Sequence, residues 1–143
     1  MKIVVSPNPY RDKQFKNARQ ACSILREAGA EVALCLPFDV DKTFEIPHDL
    51  RFQDIQKEIK TADMLICFGG DGTILHSSKI ATEHNLPILG VNIGTMGFIA
   101  ELEAGEIELL RKIPKGDYTV EERTMLDVSV GNGRQTLFHE TAL

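Results

Sequence analysis

The chain has 143 residues, of which 43% are hydrophobic and 26% are charged, and its formal net charge is −5 at pH 7. These values are typical of one folded domain that buries a proper core. The negative charge and the lack of a basic block argue against a nucleic-acid partner. No apolar run approaches the roughly 18 residues that a membrane span requires, and the N-terminus lacks a signal-peptide pattern.

The three cysteines, Cys22, Cys35 and Cys67, lie in apolar stretches without metal-ligand spacing. An odd number of widely separated cysteines does not suggest a disulfide framework. We therefore predict reduced core thiols in a cytoplasmic protein.

The first part of the chain predicts a β-α-β unit. A strand over Lys2–Ser6 precedes a helix over Arg11–Ala28, whose apolar residues recur at helical spacing, and Gly29 follows as the expected C-terminal residue. A second strand is predicted over Glu31–Leu36, and the unit implies a parallel sheet. The turn after the first strand lacks the G-x-G-x-x-G pattern, which excludes an ordinary dinucleotide-dependent dehydrogenase.

The central part continues the alternation of strands and helices. An irregular connection over Pro37–Leu50 and a short helix over Phe52–Lys60 lead to the strand Met64–Phe68. This apolar run is typical of a parallel strand buried on both faces. A helix over Thr73–His84 and a fourth strand over Pro87–Asn92 follow. The Walker P-loop signature is absent, so nucleotide binding of that type is not expected.

The segment GGDGT, residues 69–73, joins the central strand to the helix that follows it. Glycines let a backbone approach a phosphate, and a helix N-terminus attracts anions. Asp71 is electrostatically unfavourable there unless it accepts a proton from a substrate hydroxyl or helps to place Mg²⁺. The structural alternative is a tight turn in which Asp71 caps the helix through the N–H of Thr73 or Ile74.

A second glycine-containing stretch, GVNIGTMGFI, covers residues 90–99 and follows the fourth strand. Parallel strands end at the same edge of a sheet, so this stretch and GGDGT are expected to meet at the edge where ligands bind. Gly94 and Gly97 leave room for a ligand, and Phe98 can stack on a flat ring. The alternative interpretation makes Phe98 and Ile99 core residues after a tight turn.

The C-terminal part predicts a helix and then β structure. Four glutamates, Glu101, Glu103, Glu106 and Glu108, surround the start of a helix that runs to about Ile113, and a solvated acidic N-terminus explains them better than a metal site. Strands are predicted over Tyr118–Val120, Met125–Val130 and Gln135–Glu140, with a hairpin turn at residues 131–134. Antiparallel structure after a β-α-β run suggests the beginning of a second domain.

GGDGT followed by GVNIGTMGFIAE (residues 90–101) resembles the paired signatures of the NAD kinase family, and the resemblance extends to HETAL at residues 139–143. GGDGT alone is shared with diacylglycerol and sphingosine kinases. The resemblance implies an open, mostly parallel Rossmann-like sheet with flanking helices over residues 1–117. Residues 118–143 would then form the first β-hairpin of a truncated all-β second domain.

The resemblance also implies an activity, namely phosphoryl transfer from ATP or polyphosphate to the 2′-hydroxyl of the adenosine ribose of NAD. Mg²⁺ would be held mainly through donor phosphates, without a ligand set on the chain. Asp71 would accept the hydroxyl proton, and Phe98 would line the adenine end of the site. The residues expected to contact NAD or ATP are Gly69, Gly70, Asp71, Gly72, Thr73, His76, Asn92, Gly94 and Phe98. The assembled enzyme is expected to be a homodimer or homotetramer.

One departure from the family pattern concerns the end of the sequence. In the family, the stretch that resembles HETAL continues into an asparagine–acid pair that holds the ribose, whereas this sequence ends at Ala142-Leu143. We therefore expect weak or absent kinase activity from the 143 residues alone. Two alternatives are a lipid kinase of the diacylglycerol or sphingosine type and a non-catalytic nucleotide-binding or oligomerisation module.

Overall fold

The computed structural model describes residues 1–95 and 97–142, so Met96 and Leu143 of the quoted motifs lie outside the described residues. Five parallel strands form one open sheet in the order β2-β1-β3-β4-β5. The strands are β1 Lys2–Pro7, β2 Glu31–Leu34, β3 Met64–Gly69, β4 Ile88–Asn92 and β5 Leu102–Glu103. The predicted open parallel sheet with flanking helices is thereby confirmed.

Helices lie between successive strands from β1 to β4, and a further helix follows β5. The α-helices are α1 Lys16–Glu27, α2 Ile55–Glu58 and α3 Asp71–Glu83, and 3-10 segments cover Lys13–Phe15, Ile59–Thr61 and Ala104–Lys115. In the described residues, no helix is long and apolar enough to cross a membrane.

The helices cover the sheet from both sides, which explains why β3 is buried along its whole length. Ile3 and Ile66 face the layer formed by α1 and the 3-10 helix Ala104–Lys115. Val4 and Leu65 face the opposite side, where Ala81 of α3 packs. Side chains alternate along a strand, so neighbouring residues contribute to opposite layers of one core.

The first helix begins later than predicted. The periodicity predicted a start at Arg11, but Gln14 and Phe15 have φ angles of 54° and 53°, and α1 begins at Lys16. The buried Asp12 carboxylate accepts the backbone N–H of Asn17 at 3.0 Å and of Ala18 at 2.9 Å. A carboxylate from outside the helix thus satisfies two of the N–H groups that every helix start leaves unpaired. Gly29 occupies the left-handed region, as predicted, with φ 95°.

Two further differences concern the region after β4. Residues 118–120 are not a strand, and the two-residue strand β5 was not predicted. The predicted acidic helix is present as the 3-10 helix Ala104–Lys115, where Glu103 and Glu106 form a reciprocal capping box. Two of the four glutamates therefore serve the helix start, as their position suggested, whereas Glu101 accepts the N–H of Gly90 at 2.9 Å.

The predicted hairpin is present as β6, Leu126–Gly131, paired antiparallel with β7, Thr136–Ala142. The side chains of residues 126–139 are exposed, and they include apolar residues such as Val130 and Phe138. The division between residues 117 and 118 into two domains stays a prediction.

The sheet order creates a crevice at a defined point of the sheet. From β1 the chain proceeds to β2 on one side and then crosses to β3 on the other side, so the segments that leave β1 and β3 diverge. In open α/β sheets, ligands bind at such a switch point, outside the carboxyl ends of the strands. Residues 8–12 and the GGDGT segment flank this crevice.

Candidate active site

The loop after β1 is joined directly to the start of α3. The backbone N–H of Asn8 donates to the Phe68 carbonyl at 2.8 Å, and the Asn8 side-chain amide donates to the Thr73 hydroxyl at 2.9 Å. Tyr10 N–H donates to the side-chain oxygen of Asn8 at 3.0 Å. Asn8 thus fixes the two diverging segments of the switch point relative to each other.

The GGDGT segment is the junction between β3 and α3, and its glycines differ in how much room they leave for a side chain. A Cβ atom at Gly69 would lie 2.5 Å from Cβ of Thr73, whereas one at Gly70 or Gly72 would meet nothing within 4 Å. Gly70 is the N-cap residue, and its carbonyl accepts the N–H groups of Thr73 and Ile74. The half-buried Gly70 and the exposed Gly72 therefore leave backbone accessible at the positive end of the helix dipole.

Asp71 is the first residue of α3, and its carboxylate contacts the second glycine stretch instead of capping the helix. The Phe98 N–H donates to Oδ1 at 3.2 Å and to Oδ2 at 3.1 Å, and the Ile99 N–H donates to Oδ1 at 3.3 Å. The cap alternative predicted from the sequence is therefore wrong. A carboxylate offers about four acceptor positions, so these contacts leave acceptor capacity on Oδ2 for a substrate hydroxyl.

Asn92 ends β4 and organises the loop that follows. Its side-chain oxygen accepts the Gly94 N–H at 3.1 Å, and its amide group donates to the Glu103 carboxylate at 3.0 Å and to the Thr95 carbonyl at 3.1 Å. The residue is 2% exposed. Since the polar groups of Asn92 are engaged within the protein, this residue supports the loop at the site from a buried position.

His76 lies one turn into α3, at the wall formed by the loop after β2. Its Nε2 atom lies 3.1 Å from the Pro37 carbonyl, and its ring meets the edge of the Phe38 ring with 5.8 Å between centroids. Because a carbonyl only accepts, Nε2 carries the hydrogen in this contact. His76 therefore anchors one side of the crevice, and its contact with NAD stays a prediction.

Phe98 presents its ring to solvent, and the side chain is 92% exposed. The alternative that Phe98 is a core residue is wrong, whereas Ile99 is half-buried. An exposed phenylalanine beside a polar crevice is available for stacking on a flat ring. That role stays a prediction, because the ring does not line the cavity described next.

A cavity of about 440 Å³ occupies the switch point. Its lining includes the predicted residues Gly70, Asp71, Gly72, Thr73, His76 and Gly94, and also Asn8, Arg11, Phe38, Thr95 and Gly97. Asn8, Arg11, Phe38 and Thr95 were not predicted. The position of Asn8 and Arg11 directly after the first strand of a parallel sheet is the signal that could have identified them.

A larger cavity of about 870 Å³ lies elsewhere, between α3, β4, the 3-10 helix Ala104–Lys115 and residues 117–125. It contains none of the glycines of residues 69–73 or 94–97. We place the candidate site in the smaller cavity, because that cavity combines the switch point, accessible backbone and a carboxylate.

The cavity offers little direct support for a metal ion. Asp71 is the only carboxylate among the described lining residues, and no group of three or more His, Cys, Asp or Glu side chains in the described parts of the chain could hold a metal. Mg²⁺ commonly binds through one or two carboxylates together with substrate phosphates. The residues present fit an ion of that kind, with Asp71 as the one available side-chain ligand.

The three thiols lie in the core of the sheet domain. Cys22, Cys35 and Cys67 are free and buried, and burial raises the pKa of Cys67 to about 12 and that of Cys22 to about 11. Such thiols remain protonated near neutral pH, so they act as small apolar core residues.

Comparison with known proteins agrees with the geometry. The family model described as ATP-NAD kinase N-terminal domain matches residues 2–118. The NAD kinase of Bacteroides fragilis is 32% identical over 130 residues, which are 90% of this chain and 45% of that protein. The NAD kinase of Corynebacterium diphtheriae is 30% identical over 139 residues, which are 94% of this chain and 44% of that protein. The chain thus spans somewhat less than half the length of these relatives.

A solved structure shows the same fold. Yeast NADH kinase in complex with NADH superposes with a TM-score of 0.68 at 19% identity, over 99% of this chain and 46% of that chain. At this level of identity, the similarity concerns the fold.

Proposed function

The chain belongs to the NAD kinase family, and from this premise we propose that it supplies the catalytic-loop domain of an enzyme that phosphorylates NAD. The reaction transfers a phosphoryl group from ATP or polyphosphate to the 2′-hydroxyl of the adenosine ribose and yields NADP. The observation that carries the proposal is the position of Asp71, whose carboxylate lies in the switch-point cavity between two glycine stretches.

Asp71 is proposed to accept the proton of the attacking hydroxyl. Its Oδ2 atom takes part in a single described hydrogen bond, with Phe98, and so retains acceptor capacity. The carboxylate belongs to the first turn of a helix whose dipole favours negative charge at that end. Phosphoryl transfer requires mainly positioning and charge stabilisation, and a fixed proton acceptor beside open backbone meets part of this need.

Arg11 is proposed to attract the phosphates of the donor. The residue is exposed and lines the cavity, and its backbone is hydrogen-bonded to Asn8 and Lys13. Its guanidinium has no described hydrogen-bond or ion-pair partner, so it is available to bind a phosphate. When bound, Mg²⁺ would neutralise charge on the transferred and bridging phosphate oxygens. Asp71 is the one carboxylate among the described lining residues, so donor phosphates would supply most of the ligands of the ion.

The acceptor is proposed to lie across the second glycine stretch. Gly72 and Gly94 leave backbone open to NAD, and the exposed Phe98 ring would stack on the adenine. His76 would contact the dinucleotide from its position beside Phe38, or it would hold the part of the cavity lining that contains Phe38 in place. The assembled enzyme is proposed to be a cytoplasmic homodimer or homotetramer, and we expect the 143 residues alone to show weak or no turnover.

The test is a transfer assay with γ-³²P-labelled ATP and Mg²⁺. The complete protein that contains this chain is incubated separately with NAD and with diacylglycerol in mixed micelles. We expect label in NADP and none in lipid. Label in lipid alone would establish the lipid-kinase alternative. Binding of NAD without transfer to either acceptor, from ATP or from polyphosphate, would establish a non-catalytic nucleotide-binding module.

A further inference from the structure

The second glycine stretch reaches the carboxylate of Asp71 through its backbone and not through a side chain. Two successive amides, those of Phe98 and Ile99, converge on this carboxylate at 3.1–3.3 Å. Asp71 and Phe98 are 27 positions apart in the sequence, and they belong to segments that follow different strands. The orientation of the carboxylate therefore depends on where the second stretch lies.

Gly97 leaves room for the carboxylate of Asp71 beside the second glycine stretch. A Cβ atom at this position would lie 2.8 Å from Oδ1 of Asp71 and 3.7 Å from the nearest described atom of Asn92. Oδ1 is the end of a side chain that can rotate, so an added methyl group would displace the carboxylate at low cost to the fold. The absence of a side chain at Gly97 thus allows the observed position of Asp71.

The start of the stretch is itself held rigidly. The buried Asn92 binds the Gly94 N–H and the Thr95 carbonyl, and the Glu103 carboxylate holds Asn92 from β5. Asn92 ends β4, so these contacts tie the loop to the sheet. These contacts fix the start of the second glycine stretch, and positioning of a reactive group requires such a fixed support.

We propose that Gly97 is a positioning residue, and that it lets the Phe98 and Ile99 amides hold the Asp71 carboxylate in the orientation that accepts the hydroxyl proton. The proposal rests on the proposed function for its chemical consequence. Phe98 would then have two tasks, because its exposed ring is available to the adenine while its N–H orients the proton acceptor. Binding of the acceptor and orientation of Asp71 would be set by the same residue.

A structural test uses this chain without any activity assay. Gly97→Ala, Asp71→Ala and the double variant are compared by urea unfolding, with Gly105→Ala as the control, since a Cβ at Gly105 meets nothing within 4 Å. We expect Gly97→Ala to lower the urea midpoint no more than Asp71→Ala does. Since the colliding oxygen is absent from Asp71→Ala, the double variant should lose nothing further.

Amide resonances provide a direct view of the same contact. In ¹H–¹⁵N spectra, the Phe98 and Ile99 amide signals should shift in the same direction in Gly97→Ala and in Asp71→Ala, and they should not shift in Gly105→Ala. Unchanged Phe98 and Ile99 signals in Gly97→Ala, or additive midpoint losses in the double variant, would overturn the proposal.

A kinetic test uses the complete protein. Because misplacing a reacting group by about 1 Å can cost about 10²-fold in rate, we expect Gly97→Ala to lower kcat by that order and to change KM for NAD less than about threefold. In the Asp71→Ala background the same substitution should leave the residual rate unchanged. An unchanged kcat, or a loss confined to KM, would contradict the positioning role.

The two tests separate two kinds of failure. If the unsubstituted protein forms no NADP, the proposed function fails, but the unfolding and resonance measurements still decide whether Gly97 positions Asp71. If NADP forms and the double-variant cycle is additive, the kinase stands and the positioning role falls.

Discussion

The neighbouring glycines of the GGDGT segment should respond to the same substitution in opposite ways. In Gly69→Ala, the new Cβ would lie 2.5 Å from Cβ of Thr73, whereas carbon atoms prefer about 3.5–4.0 Å. The Thr73 Cβ is attached directly to the backbone, so a change of rotamer does not move it. The first turn of α3 must therefore shift by roughly 1 Å or more.

The magnitude follows from the type of collision. Inserting a methyl group into a well-packed site usually costs about 1–3 kcal/mol. Because the backbone and not a flexible side chain must yield here, we expect Gly69→Ala to lower the free energy of unfolding by about 2–4 kcal/mol. Gly72 is the second residue of α3 and a Cβ there meets nothing within 4 Å, so Gly72→Ala should stabilise the chain by up to about 0.5 kcal/mol through helix propensity.

The assay is urea unfolding of both variants followed by far-ultraviolet circular dichroism, with the slope of the transition compared as well as its midpoint. A rescue variant adds Thr73→Gly to Gly69→Ala and removes the colliding Cβ. Gly69→Ala should cost less in that background than in the unsubstituted chain. A free energy of unfolding for Gly69→Ala within about 0.5 kcal/mol of the unsubstituted chain would refute the described packing of this junction.

Three further predictions concern stability, binding and pH. Asp12→Ala should lower the free energy of unfolding by about 1–2 kcal/mol, because it removes the carboxylate that caps α1. In the same urea titration, the control Asp39→Ala, at an exposed position, should change the free energy of unfolding by less than about 0.5 kcal/mol. Phe98→Ala should leave the urea midpoint unchanged, because the ring is exposed. The same variant should weaken NAD binding, measured by calorimetry on the complete protein, because the stacking ring is lost. Equal affinity for NAD would exclude the stacking role. Burial raises the pKa of Cys67 from 9.0 to about 12, so the thiol ionises first in the unfolded chain, and its contribution to stability is present below about pH 9 and is lost as the pH rises toward 12. Cys67→Ala should therefore show a smaller loss of stability between pH 8 and pH 10.5 than the unsubstituted chain, and an equal loss would contradict the assignment.

The sequence pattern predicted those strands, turns and helices that are determined by neighbouring residues. The apolar run of β3, the glycines after it and the helical spacing beyond them were sufficient to predict a strand, a turn and a helix. The rule that parallel strands end at one edge then brought the two glycine stretches together. The backbone contacts between Asp71 and residues 98 and 99 confirm that they meet.

Other features depend on contacts between distant segments, which a periodicity does not reveal. Phe15 fits the helical spacing of apolar residues, so the sequence predicted an earlier start for α1. The helix begins instead at Lys16, because two residues before it have positive φ angles and the buried Asp12 carboxylate binds N–H groups of its first turn. The short strand β5 exists because it pairs with the end of β4. Residues 118–120 have strand-like composition, and they form no ladder in the structure.

The site shows the same division. The sequence identified Asp71 and Asn92 as candidates, but their partners could not be inferred from it. The structure shows Asn92 enclosed by the loop that it organises, and Asp71 turned toward amides 27 and 28 positions away. Arg11, the one Lys or Arg among the described lining residues, follows a strand that carries no phosphate-binding signature, so no motif drew attention to it.

The central claim is that the Asp71 carboxylate accepts the proton of the NAD ribose hydroxyl, and Asp71→Asn in the complete protein tests it most directly. NADP formation from NAD, ATP and Mg²⁺ is followed in a single turnover, and NAD affinity is measured by calorimetry on the same samples. A positioned general base contributes about 10²–10⁴-fold, so the rate should fall by that factor while the affinity for NAD stays nearly unchanged. A rate that survives the substitution, with NAD bound as tightly as before, would show that the proton leaves by another route.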